Sequence, residues 1–262
     1  MEDIRRNLRR GAQWGAQRVL PRLPAEVREV ALMLAARVGT GPSVLPGPPE
    51  GPVLVVAAHP DDETIGCGGA LVRHARARDR VDVVVCTSGE STGGGSGDVA
   101  AAREAECRAA CAALRVHEPV FLRLPDRGLA AHTAELGARL RELGAGARVV
   151  YVPSLLDPHP DHLAANLGVA AAGLDAEVHG YELWSSAPVD AVLDITSAWD
   201  RKEQAMRCYP VALESIDYLA AARGLNTYRG ITAGLGPTAL AEGFLRLPAA
   251  EHAALTRRAL PG

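Results

Sequence analysis

Two short clusters carry the residue types of metal-assisted hydrolysis: His59-Pro60-Asp61-Asp62-Glu63 and Pro158-His159-Pro160-Asp161-His162. Two histidines and one carboxylate are enough to hold a catalytic zinc with one position left open for water. A carboxylate beside a ligating one is free to take a proton. Zinc lowers the pKa of bound water to about 7, so a modest base suffices. The plain alternative is that Asp61 or Asp62 caps a helix and His59 is a loop histidine. Capping does not explain why a second His-Pro-Asp follows another valine-rich run. The same ligand set also describes non-haem iron oxygenases, so Fe2+ fits it too.

The elements around the clusters decide where these groups can sit. Val53 to Ala58 is apolar without alternation, which predicts a strand buried on both faces. It stops at His59, where the carboxyl end of a parallel strand opens a crevice. A helix follows from about Asp62 to Arg78, then a strand at Val81 to Cys86. Thr87 to Asp98 carries five glycines; without a following Gly-Lys-Ser/Thr it is a rim loop, not a phosphate cradle. A helix at Val99 to Leu114, a strand at Val120 to Leu124 and a turn at Pro125 to Gly128 come next. A helix opened by Thr133 ends near Gly144, and the strand Arg148 to Val152 leads to the second cluster. Glu177 to Trp184 and Val189 to Ile195 read as strands, Ala198–Cys208 and Leu213–Ala222 as helices. This alternation predicts a Rossmann-like α/β fold, a mostly parallel sheet with helices on both faces. The clusters meet only if the strands ending at His59 and Val152 are neighbours or nearly so. The oxygenase alternative belongs mainly to β-barrels, and the α/β pattern counts against it.

Ala58-His59-Pro60-Asp61-Asp62-Glu63 and His159-Pro160-Asp161-His162 resemble the paired signatures of the PIG-L/LmbE-like zinc N-deacetylases. The resemblance runs from about Val53 to about Leu247 and takes in Arg103-Glu104 and Tyr181-Glu182-Leu183-Trp184. It implies zinc held by His59, Asp62 and His162, with Asp61 as general base. It gives His159 the tetrahedral oxyanion, and Asp161 would fix the His159 tautomer and favour its imidazolium. It also implies that Arg103 and Asp126 hold sugar hydroxyls. Read alone, Arg103 is as well explained by pairing with Glu104 or Glu106 on its helix, and Asp126 by its turn. Tyr181 and Trp184 line the sugar face or belong to the core. Some relatives carry a tyrosine where Asp157 stands here. The expected reaction is hydrolysis of the acetamide of an N-acetylated amino sugar or glycoconjugate, including antibiotic intermediates. An amidase releasing a larger acyl group and a non-catalytic sugar- or nucleotide-binding module are the alternatives. The substrate is a small molecule or glycoconjugate, and a homo-oligomer is compatible with the sequence.

The whole chain sets the bounds. Its 262 residues, 48% of them apolar, suit one domain with a small appendage. Residues 51–262 are the expected catalytic domain, and residues 1–50 a helical arm followed by a linker or extended arm. Net charge is −3, which argues against nucleic acid as a partner. Residues 1–40 hold eight arginines against four acids, so the arm is basic; packing on the domain is its plain reading and contact with an anionic membrane the lesser one. Five scattered cysteines, an odd count, give no disulfide framework. With no signal peptide or membrane-length apolar run, a reducing cytoplasm is expected.

Overall fold

A computed structural model describes residues 41–91 and 97–259. The expected basic helices before residue 41 and the glycine run at 92–96 lie outside the described residues. Eight strands form one sheet: β1 Ser43–Leu45, β2 Val53–Ala57, β3 Val81–Val85, β4 Val120–Phe121, β5 Val149–Pro153, β6 Glu177–Tyr181, β7 Ala191–Asp194 and β8 Ala241–Pro248. Their order is β1-β7-β8-β6-β5-β2-β3-β4. All pairings are parallel except those of β8, which runs antiparallel to β6 and β7. The helices are α1 Asp62–Ala77, α2 Gly97–Leu114, α3 Thr133–Leu143, α4 Pro160–Ala172, α5 Trp199–Met206, α6 Pro210–Leu213, α7 Tyr218–Thr232 and α8 Ala249–Ala259. None of the described helices is long and apolar enough to cross a membrane.

The unbroken apolar run of β2 follows from its place in the middle of the sheet. Val53, Val55 and Ala57 face a core shared with α1, α2 and α5. Leu54 and Val56 face the other core, with Leu136, Leu140 and Val169 of α3 and α4. Both faces are covered, so alternation has no physical purpose. β2 and β5 are direct neighbours, with Val55 opposite Tyr151, and both clusters therefore leave the same edge of the sheet.

Three differences from the sequence expectation have local causes. The stretch expected to be a linker or extended arm supplies β1, which pairs with β7. The helix expected at Leu213–Ala222 is replaced by the short α6 and the longer α7, because Asp217 caps the amide of Ala220 and starts the helix there. Finally, β8 and α8 were absent from the expected element order. β8 lies between two parallel-running strands, and nothing in its own residues announces that direction.

α1 is two helical pieces joined at Cys67, whose φ and ψ of −135° and 16° are not helical. The second piece starts with free amides, and β8 supplies the cap. Gly69 and Ala70 each donate a 2.7 Å hydrogen bond to the Glu242 carboxylate. Lys202, the only lysine of the chain, is fully buried and donates to Glu242 at 2.7 Å and to Asn226 at 3.1 Å. Gly66, at the break, has no room for a side chain, because a Cβ would run into the ring of Tyr181.

Candidate active site

The first cluster does not cap α1 with a side chain. Asp61 is the N-cap residue, yet its carboxylate makes no capping bond. Its backbone sits at φ 121°, a region that costs a non-glycine residue about 1–3 kcal/mol. That conformation turns the carboxylate into the cleft, where Arg103 Nη2 donates to it at 3.1 Å. Arg103 also donates to the Pro60 carbonyl at 2.7 Å and the Gly89 carbonyl at 3.2 Å. Gly89 has φ +64°, and a Cβ there would collide with the guanidinium. Burial raises the Asp61 carboxyl to about 7; the charge of Asp62 adds to the rise and Arg103 opposes it.

Asp62 stands between the two clusters. Its Oδ2 accepts the His59 amide at 2.9 Å and lies 3.6 Å from His59 Nδ1. Its Oδ1 lies 3.4 Å from His162 Nε2. The other nitrogen of each histidine faces a different carboxylate. His59 Nε2 is 3.2 Å from Asp161 and 3.3 Å from Asp126, and His162 Nδ1 is 2.9 Å from Asp157. Burial disfavours imidazolium at both, but these carboxylates prevail: His59 is held well above the usual range and His162 at about 9. Burial would raise Asp62 too, yet the two histidines keep it well below the carboxylate range.

This cluster fits a divalent ion. Both ring nitrogens of His162 are buried with no bond of hydrogen-bonding geometry. The Asp62 carboxylate faces His59 Nδ1 with one oxygen and His162 Nε2 with the other, which gives a nitrogen, nitrogen and oxygen donor set. Carboxylates behind ligand histidines fix the ring tautomer and raise its basicity. His59, His159 and His162 also cluster closely enough for one ion, as do His59, Asp126 and Asp161. We favour the set with Asp62, because in the others His59 Nε2 would have to leave Asp161, or His159 Nδ1 its backbone donor.

Asp161 does not do what the resemblance implied. Its carboxylate accepts the amides of Arg127 at 2.7 Å and Leu129 at 3.2 Å and faces His59. His159 is met instead by the backbone of Asp161, whose N–H donates to His159 Nδ1 at 3.2 Å as the cap of α4. A ring nitrogen that accepts cannot carry a proton. His159 is thus neutral with its proton on Nε2; burial and the charges of His59 and His162 lower its pKa. The expected imidazolium is replaced by a neutral donor.

Arg103 and Asp126 both line the cleft, a cavity of about 260 Å³. Arg103, however, is 5% exposed and bound to Asp61, and Asp126 is engaged by His59 and by the Ser91 amide at 2.9 Å. Tyr181 is buried, donating to the Val56 carbonyl at 2.9 Å, while Trp184 is 52% exposed and stacks on His159 with ring centroids 6.4 Å apart. Glu63 is fully buried and accepts hydrogen bonds from Thr64 and Tyr209; it fastens the cluster to the start of α6. Asp157, read from the sequence only as standing where some relatives carry a tyrosine, lies 2.9 Å from His162 Nδ1 and accepts the His159 amide at 2.9 Å and the Trp184 amide at 3.2 Å. A carboxylate two residues before a candidate histidine was the available signal.

Such a sheet, with a histidine–carboxylate cluster where two adjacent parallel strands end, defines a Rossmann-like α/β protein whose cluster has the donor chemistry to hold a metal ion. The chain belongs to the PIG-L/LmbE-like family: the model of PIG-L, GlcNAc-PI de-N-acetylase, matches residues 54–173. It is 33% identical over 151 residues to a 1D-myo-inositol 2-acetamido-2-deoxy-alpha-D-glucopyranoside deacetylase of Thermobifida fusca, covering 44% of this chain and 51% of that one. The chain spans about half the length of the curated relatives it matches. Among solved structures it is similar to the conserved protein TT1542 from Thermus thermophilus, with 30% identity, TM-score 0.64, and 75% and 94% of the two chains covered. It is also similar to GalB, the 4-carboxy-2-hydroxymuconate hydratase of Pseudomonas putida KT2440, with 25% identity, TM-score 0.59 and 74% and 95% covered.

Proposed function

We propose that the protein is a metal-dependent N-deacetylase acting on an N-acetylated amino sugar or glycoconjugate. One observation carries this reading: Asp61 stands beside the Asp62–His59–His162 donor set, held by Arg103 and not by the helix it precedes. Fold alone does not choose the reaction, as the hydratase neighbour illustrates. The paired clusters and the PIG-L match favour amide hydrolysis, and the deacetylase names of the relatives favour an acetamido sugar.

A zinc or similar divalent ion held by His59, Asp62 and His162 would supply an activated water and Lewis-acid polarisation of the amide carbonyl. Asp61 takes the proton of the attacking water and passes it to the leaving amine. His159 donates its Nε2 proton in a hydrogen bond to the oxyanion as the carbonyl carbon becomes tetrahedral. Collapse breaks the C–N bond and releases acetate and the free amine. Arg103 positions Asp61; Asp161 and Asp126 orient His59, and Asp157 orients His162. The test is amine release from a panel of N-acetylated sugars by zinc-loaded protein. Turnover of acetamido sugars that is lost on chelation is expected. Equal turnover of sugar-free acetate esters would refute a sugar-directed amidase.

A further inference from the structure

A second cavity, of about 320 Å³, adjoins the cleft. The two share Ile65, Leu183, Trp184, Ile216 and Tyr218 in their walls. Trp184 stands between them, with one ring face towards His159 and the Tyr218 ring edge-on at 6.1 Å. Trp184 and Ile216 remain 52% and 37% exposed, although large apolar side chains gain from burial. The second chamber is walled mainly by Leu225, Ala221 and Ala222 of α7 together with these shared residues. Its polar lining residues are Ser185, Ser186, Glu182 and Asn226, and the last two are committed elsewhere. Glu182 is bound by Arg229 and the Ala187 amide, and Asn226 accepts from Lys202. Nearly all of this wall lies beyond residues 54–173, the stretch matched to the family.

We propose that this chamber takes a linear apolar chain carried by the substrate, so that the preferred substrate is an alkylated or long-acylated amino sugar. The proposal rests on the deacylase reading for the chemistry but not for the binding. The chain can be attached through the glycosidic oxygen or through the amide, and both present the same methylenes to Trp184, Tyr218 and Leu225. The Glu182–Arg229 pair ties the segment after β6, which leads to Trp184, to α7.

The experiment uses zinc-loaded full-length protein and two readouts. Binding is measured calorimetrically for n-alkyl glucosides from methyl to hexyl, which carry no amide, and for the matching series of N-acyl glucosamines. Amine release is followed for alkyl 2-acetamido-2-deoxyglucosides and for the same N-acyl series. Burial of a methylene at about 0.8 kcal/mol predicts affinity and kcat/KM rising roughly 3–4-fold per carbon in one series. The rising series identifies the point of attachment. Leu225→Trp, which fills the chamber, should flatten that slope. Rising affinity without amine release would keep the chamber and overturn the deacylase reading. Amine release with flat affinity and flat kcat/KM along both series would overturn the chamber alone, and flat binding with no turnover would overturn both.

Discussion

Asp157 offers the sharpest test of how the site is built, because it contacts the proposed metal only through His162. Its carboxylate lies 2.9 Å from His162 Nδ1 and accepts the His159 and Trp184 amides at 2.9 and 3.2 Å. Asp157→Asn keeps an acceptor oxygen but removes the charge. Replacing a group behind a metal ligand typically costs roughly 10–100-fold in metal affinity, and removing the charge alone should fall at the low end of that range. That corresponds to roughly a tenfold weaker hold on zinc. Asp157→Ala removes the acceptor altogether and should approach the hundredfold end of the range for groups behind metal ligands. The assay is competition for zinc against a chromophoric chelator, with kcat measured at saturating metal. Unchanged zinc affinity in both variants would refute the orienting role. Complete loss of zinc in Asp157→Asn, as large as in Asp62→Ala, would make Asp157 itself a ligand.

Asp61→Asn should keep zinc and lower kcat by roughly 10²–10⁴, whereas Asp62→Ala should lose the metal; metal analysis beside turnover separates them, and the reverse pattern would exchange their roles. Burial holds His252 of α8 down to about 4, with Asn166 as its neutral partner at 2.8 Å. The unfolded chain takes up that proton first, so its stabilising contribution is complete above about pH 6.5 and is lost as pH falls towards 4. Between pH 7 and pH 5 the wild type should lose about 2 kcal/mol through this group; His252→Gln should lose correspondingly less in urea titrations, and an unchanged acid limb would refute the assignment. Lys202→Met leaves Glu242 buried without its cation and should cost about 3–5 kcal/mol, read as a fall in the denaturation midpoint. A shift near zero would mean that the Gly69 and Ala70 amides alone hold Glu242.

What could be seen in the sequence was set by local chemistry. Val53 to Ala58 could only be a strand covered on both faces, and its abrupt end at His59 placed the cluster at a strand terminus. The adjacency of β2 and β5 followed from requiring the two clusters to meet. The tertiary partners of those groups were not legible. Asp161 faces Arg127 and Leu129 because the turn after β4 folds over α4, and no spacing within His159-Pro160-Asp161-His162 reveals that. Arg103 reads as an ordinary helix residue, since its carboxylate partner is 42 positions away. The antiparallel β8 was hidden for the same reason: its direction is set by the strands it lies between. The resemblance named residues that the fold brings to one cleft, but it did not name their partners.

The repeated His-Pro-Asp shows why the site depends on both strand ends together. In the first cluster Pro60 presents its carbonyl to Arg103, and the histidine before it faces the Asp62 carboxylate. In the second, Pro160 begins α4, and the histidine before it accepts the Asp161 amide and remains a neutral donor. The same three residues thus produce opposite histidine chemistries, because only the second cluster is followed directly by a helix that its histidine caps. The carboxylates cross over as well. Asp161 of the second cluster backs His59 of the first, and Asp62 of the first faces His162 of the second. Neither cluster is complete alone, and the distances between them are fixed by the β2–β5 register that puts Val55 opposite Tyr151. Groups joined in one network couple by about 0.5–3 kcal/mol, so Asp161→Asn and Asp157→Asn should weaken zinc binding non-additively. Strict additivity in that double-mutant cycle would mean that the two histidines are held independently, and that the crossing carboxylates do not act as one frame.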